Sequence, residues 1–231
     1  MERNHRQTIR RTRRGCAWLL GLGLLLSPVF AFGQTNVQGR LNFSTTWTAN
    51  NSPYVLQGDV TVGNAATLTI EAGTRIELAE TDALSSGEFP TEVEFKILGR
   101  IDVQGTPENP VVIHGHRMGI GLLLSQDARL VDETLSGISF EGSFFAALVN
   151  KRVAASTTYE NITCANPKDD YILSDAPGSS TFDNVQNCPL AFKRIPAGKT
   201  VTIEGSTITN FGAYPPASLG DIVINNSEMQ A

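Results

Sequence analysis

Beyond residue 33 the chain has no capped stretch in which apolar residues recur about every 3.6 positions, which argues against a helical domain. Charge is sparse too, with Asp, Glu, Lys and Arg making up 18% of the residues. Gly, Ser, Thr and Asn abound instead, as suits an all-β extracellular protein. No serine stands in a strand–turn–helix elbow motif, so a nucleophile–His–acid triad has no sequence support. Cysteine is nearly absent. Of three, only Cys164 and Cys188 lie beyond residue 33, an even pair that fits an oxidising compartment.

The N-terminus reads as a signal peptide over residues 1–33. Arg3, Arg6, Arg10, Arg11, Arg13 and Arg14 form a basic region, and residues 16–26 an apolar run. Pro28 breaks that run before Ala31-Phe32-Gly33, which offers cleavage after Gly33 or, as second choice, after Ala31. The alternative is a retained anchor, but the run is short for about 30 Å of hydrocarbon. The arginine pairs leave general and twin-arginine export both open, and Cys16 sits too early in the run for lipidation. The expected location is secreted, periplasmic or cell-surface, with no stable membrane span after cleavage. The segment carries six arginines against one glutamate, so the −5 of the whole chain becomes −10 without it. That balance argues against nucleic acid or an anionic membrane as a partner.

What is present is a recurrence. An apolar residue, an acid or amide, then Gly or Asn appear at Phe140-Glu141-Gly142, Tyr159-Glu160-Asn161, Phe182-Asp183-Asn184, Ile203-Glu204-Gly205 and Ile224-Asn225-Asn226. The spacings of 19, 23, 21 and 21 residues mark a solenoid, whose repeats bury their apolar faces only by stacking. Stacked turns would align Phe140, Tyr159, Phe182, Ile203 and Ile224 as one interior ladder. The Gly or Asn suits a sharp turn with left-handed backbone angles.

Upstream, short β-branched segments at 59–62, 67–70, 75–78, 95–98, 101–103 and 111–113 read as strands separated by Gly, Asn and Pro turns. Residues 118–124 are ambiguous, but their glycines favour a strand. Residues 34–55 read as a polar lead-in or cap, residues 56–231 as the solenoid, and residues 82–90 as a projecting loop.

Cys164 and Cys188 are 24 residues apart, near one repeat. Adjacent turns lie about 4.8 Å apart, inside the roughly 4.4–6.8 Å Cα window of a disulfide. Cys164 follows Tyr159 by five residues and Cys188 follows Phe182 by six, so a one-residue insertion must absorb the offset. Two free buried thiols are the alternative.

Residues 54–78, YVLQGDVTVGNAATLTIEAGTRIEL, and residues 95–114, FKILGRIDVQGTPENPVVIH, resemble the opening coils of bacterial secreted right-handed parallel β-helix proteins. The resemblance implies a pectate-lyase-like superhelix on an exported protein. It implies no activity, because that fold hosts lyases, hydrolases, adhesins and inert spacers. Arg117-Met118-Gly119-Ile120 stands where similar proteins often carry a tryptophan. Many are longer with a C-terminal sorting module, whereas Ala231 here follows a repeat directly, as in a short or a truncated member.

Candidate chemistry is thin. Lyases on this fold need clustered aspartates and a base, and Asp132-Glu133, Asp169-Asp170 and Asp183 form no spaced ligand set. Glu141, Glu160, Asp183 and Glu204 recur with the repeat, as a solvated ladder would, rather than as a hydrolase pair. His114 and His116 share a face, without a third metal ligand, in what reads as an exposed turn. The pairs Thr67/Thr69, Thr200/Thr202 and Thr207/Thr209 suggest an ice-binding ladder but do not recur in every coil.

The expectation is therefore an all-β chain forming a single right-handed parallel β-helix of about seven or eight coils. It acts without catalysis, cofactor or metal as an exported structural, adhesion or binding module. Its expected partner is a glycan or another cell-surface protein, and an uncapped last coil offers a strand edge for self-association. The alternative is a carbohydrate-active enzyme, distinguished by carboxylates and a base clustered on one outer face.

Overall fold

The computed structural model describes residues 33–116, 119–152, 156–166, 172–174, 178–193, 195–213 and 220–230. The expected signal peptide, apart from Gly33, lies outside them, as do Arg117, Met118 and Asp169-Asp170. The described residues wind into a right-handed parallel β-helix of about 8 turns. Helix among them is limited to a 3-10 turn at Ala49–Asn51.

Strand pairs with strand in parallel along the whole stack. The one antiparallel bridge among the described residues, Val131 to Thr134, is a tight turn. Short strands of alternating burial explain the architecture. Tyr54–Val62 alternates buried and half-buried at every residue, so one side of the strand must be covered, and a winding stack covers it. Residues 34–55 differ from the expected lead-in. Thr35–Leu41 pairs with Tyr54–Val62 and Thr45–Trp47 with Thr67–Ile70, so among the described residues the stack reaches back to Thr35 instead of to residue 56. Trp47 is buried in this part of the core, its ring 4.8 Å from Tyr54 and 5.5 Å from Phe95.

Tyr159, Phe182, Ile203 and Ile224 are successive register partners. Phe140 is a correction. It stacks between Ile113 and Cys164, and Leu135 sits over Tyr159. The strand Thr134–Gly142 runs through a corner, so two apolar–polar–Gly phrases lie on it five residues apart. Ser136, in place of an acid, disguises the aligned one, Leu135-Ser136-Gly137. With that frame the turn residues agree: Gly137, Asn161, Asn184, Gly205 and Asn226 have φ of +66°, +54°, +52°, +55° and +46°. Left-handed angles at that corner explain the restriction to Gly and Asn.

The Phe140 column continues through a disulfide. Cys164 and Cys188 are bonded with a Cα separation of 5.0 Å, one step of the stack. The offset is absorbed at Asn187, whose φ is +59° and which lies in a register shift between Gln186 and Cys188.

Ile120–Leu124 and Ala146–Asn150 are buried at every position. Their outward Ile120, Leu123, Ala146 and Val149 form a second apolar cluster, with Phe89 packed against it. The loop over residues 82–90 therefore folds back onto the stack rather than projecting, because it carries the aromatic ring that covers this patch.

Candidate functional site

The outward side of the strand Tyr54–Val62 presents Asp59 and Thr61, and the next strand, Glu94–Ile97, brings Glu94 and Lys96 beside them. Arg40, Thr61 and Lys96 are register partners across three turns, so two cations and two acids share one face. The returning loop walls them into a cleft of about 360 Å³, lined by Arg40, Asp59, Thr61, Ser86, Glu94 and Lys96 among others.

Each acid holds backbone. Asp82 Oδ1 accepts from the N–H groups of Asp59 (3.2 Å) and Leu84 (2.9 Å), and its Oδ2 from that of Ser86 (2.6 Å). Asp59 Oδ1 accepts from Glu94 N–H at 2.8 Å, and its Oδ2 from Ser86 Oγ at 2.7 Å. Glu94 Oε1 accepts from the N–H groups of Glu88 (2.8 Å) and Phe89 (3.0 Å). Glu94 is only 1% exposed. Burial raises its carboxyl above the ordinary range, with the Asp59 charge adding to the effect and the Phe89 and Glu88 N–H groups opposing it.

Gly87 lies directly over the pair. A Cβ there would stand 2.6 Å from Glu94 Oε2 and 2.7 Å from Asp59 Oδ2, and its φ is +77°. Lys151 clamps the far side of the loop through Glu88 Oε1 at 2.7 Å and, chiefly by that bond, lowers the Glu88 carboxyl. Arg40 is held by Asn42 and Asn64 (3.1 and 3.2 Å) with its guanidinium on the rim.

A second charged group lies on another strip. Glu77, His114 and Glu141 are register partners, and Arg75 reaches Glu77 at 2.8 Å and Glu141 at 3.0 Å. These bonds, that to Glu77 foremost, raise the Arg75 guanidinium further. His114 sits on the strand Val111–Gly115 rather than in an exposed turn, its ring 4.7 Å from His116. His114 Nδ1 is buried, 3.7 Å from Glu141 and without a hydrogen-bond partner.

On the third strip Glu160, Asp183 and Glu204 stack in register. Beside them Thr134, Thr158, Thr181 and Thr202 form a threonine column. The expected pairs are outward-facing, but of them only Thr202 belongs to this column. Asp132 and Glu133 occupy a tight turn at φ of +48° and +55°, with Glu133 paired to the buried Arg152. That arginine, with Asn150, Thr157 and Tyr159, forms a polar network inside the stack. Asn150 donates to Tyr159 OH at 2.6 Å, and burial pushes the Tyr159 phenol up to about 12.

Sequence reasoning did not single out Asp59 and Glu94 as a pair. The signal available was an acid at the outward position of each of two strands that the repeat brings together. Among the described residues no three His, Cys, Asp or Glu side chains group as metal ligands, and no helix is long and apolar enough to cross a membrane. No curated protein and no solved structure matches the chain. Residues 39–119 match the model of the pectate-lyase-like β-helix domain family, and that segment carries the residues lining the cleft.

Proposed function

We propose that the protein is an exported or cell-surface β-helix that works without catalysis as a structural or adhesive module, holding a polyhydroxylated ligand, a glycan, in the cleft. The observation that carries this reading is the engagement of the acids. Asp59, Asp82 and Glu94 already accept backbone N–H groups that fix the loop, and Gly87 lies over Asp59 Oδ2 and Glu94 Oε2. Arg40, Thr61, Ser86 and Lys96 supply the donors and acceptors that sugar hydroxyls require. The disulfide supports an oxidising compartment, hence export.

A second reading rests on Glu94. A buried carboxyl raised in pKa beside another carboxylate is how a general acid is held protonated in glycoside hydrolysis. A glycan array together with a polysaccharide-degradation screen separates the two. The binding reading expects retention without turnover, lost in Arg40→Ala and Lys96→Ala variants that keep their circular dichroism. Depolymerisation that disappears in Glu94→Gln would replace it with the hydrolase.

A further inference from the structure

We infer that the corner between the strands Tyr54–Val62 and Thr67–Ile70 is an anion site, where Arg40, Arg100 and Arg129 take a sulfate or phosphate ester of a glycan. Arg40, Asn64, Arg100 and Arg129 lie on four successive turns of the stack, and all three arginines are exposed. Asn64 gathers two of them. Arg40 Nη2 donates to Asn64 Oδ1 at 3.2 Å, and Arg129 Nη2 donates to Asn64 O at 2.9 Å. Arg100 is the register partner of Thr67, just past that corner, and of Arg129, so it stands on the turn between. A Cβ at Gly63 would come within 3.2 Å of Arg40 Nε, so the bare backbone there leaves the guanidinium its room.

No described acid answers these charges. Arg75, Lys151 and Arg152 form ion pairs, whereas Arg40, Arg100 and Arg129 form none with a described residue. Asp102 shares the outward face with Arg100, but its Oδ2 accepts from Gln104 Nε2 at 2.9 Å. Asp127, in the turn before Arg129, is exposed and unpaired with any of the three. Like charges directly opposite on paired strands weaken a sheet, and Arg100 and Arg129 stand so, about 4.8 Å apart at the backbone. That repulsion contributes nothing to winding the stack, and a bound anion removes it. The number of cations selects the anion. One guanidinium fork satisfies both oxygens of a carboxylate, whereas a sulfate or phosphate ester offers three terminal oxygens, one for each arginine. The donors remain available: Arg40 has used Nε and Nη2, Arg129 only Nη2, and the Arg100 guanidinium makes no bond to a described residue. Arg40 also lines the cleft, so the identity of the carrier as a glycan rests on the reading above, while the ester site stands on the corner itself.

The test is retention of the full chain on neutral dextran, carboxymethyl dextran, dextran sulfate and dextran phosphate, four forms of one backbone. An ester form binds, the neutral and carboxymethyl forms bind at least about tenfold more weakly, and the tighter of the two esters names the ligand. Arg100→Gln and Arg129→Gln each weaken ester binding about tenfold with unchanged circular dichroism. Lys199→Gln, which removes one charge from a later turn, leaves it as it was. Equal retention of carboxymethyl dextran, no retention of either ester, or Arg100→Gln and Arg129→Gln variants that bind like the wild type overturn the inference. Neutral glycans held on the array while neither ester is retained overturn the corner site and leave the cleft reading standing. Ester retention lost in Arg100→Gln, with nothing held on the array, does the reverse.

Discussion

Truncation of Phe182 to alanine probes the interior column directly. The ring is fully buried, stacked 4.6 Å from Tyr159 at 14° and edge-on to Phe192 at 5.8 Å. Burying such a ring and leaving a cavity on its removal is worth about 3–5 kcal/mol. The two aromatic contacts, each about 0.5–1.5 kcal/mol beyond area, place this site at the upper end. Ile203→Ala, fully buried in the same column, should cost about 2–5 kcal/mol. Ile224→Ala, at a residue 46% exposed, should cost under about 1 kcal/mol. Urea unfolding followed by circular dichroism reads all three. In a stack where turns contact only their neighbours, the Phe182 loss should fall on the last turns, seen as faster amide exchange there than around Phe95. A Phe182→Ala cost below about 1 kcal/mol, or equal costs at positions 203 and 224, would refute the column.

Other consequences are open to measurement. Replacing Cys164 and Cys188 together by serine should remove about 3 kcal/mol, the closure entropy of a loop spanning 24 residues; two alkylatable thiols in the native wild type would count against the bridge. Glu94 has a folded pKa raised above its ordinary 4.5. Below that value both states are protonated and the residue is neutral for stability; as pH rises past it the unfolded chain loses its proton first, so stability declines until the folded pKa is passed. Glu94→Gln keeps an acceptor for the Glu88 and Phe89 N–H groups, so it should match the wild type near pH 4 and equal or exceed it at pH 7. A variant that loses more at pH 7 than at pH 4 would contradict this. Gly87→Ala, with its left-handed φ and a Cβ 2.6 Å from Glu94 Oε2, should release the loop, read as faster limited proteolysis between residues 82 and 91.

The winding was legible because it is written twice, in the alternation of short strands and in the corner residue that Gly or Asn alone tolerate. The positive φ at Asn161, Asn184, Gly205 and Asn226 is a steric requirement of one corner met at each turn. Phe140 went astray because that corner admits more than one phrase. Gly142 also has a positive φ, +89°, and pairs with Gly115 rather than with the Asn161 series. The first turn was hard to see because Thr35–Leu41 has only Val37 and Leu41 as apolar residues. Its place is set by pairing with Tyr54–Val62, which a local pattern does not report.

The cleft was illegible for a related reason. Asp59 and Glu94 are 35 residues apart and joined by one hydrogen bond between paired strands, and their other bonds depend on how far the intervening loop returns. That return is driven by Phe89 reaching an apolar patch on the outer face of Ile120–Leu124. The unbroken run Ile120-Gly121-Leu122-Leu123-Leu124, where half-exposed strands alternate, was the available clue that something must cover its outer side. A cover needs an anchor, and three acids accepting backbone N–H groups provide one without placing an uncompensated charge against the apolar patch. The same carboxylates that give the face the look of an enzyme's therefore have a structural task. Whether they have a catalytic one as well turns on Glu94 Oε2, the oxygen that Gly87 covers: a proton held there reaches a substrate only if the loop lifts. Loop exchange that is slow against ligand binding would place the glycan on the Arg40–Lys96 rim and leave Glu94 a latch.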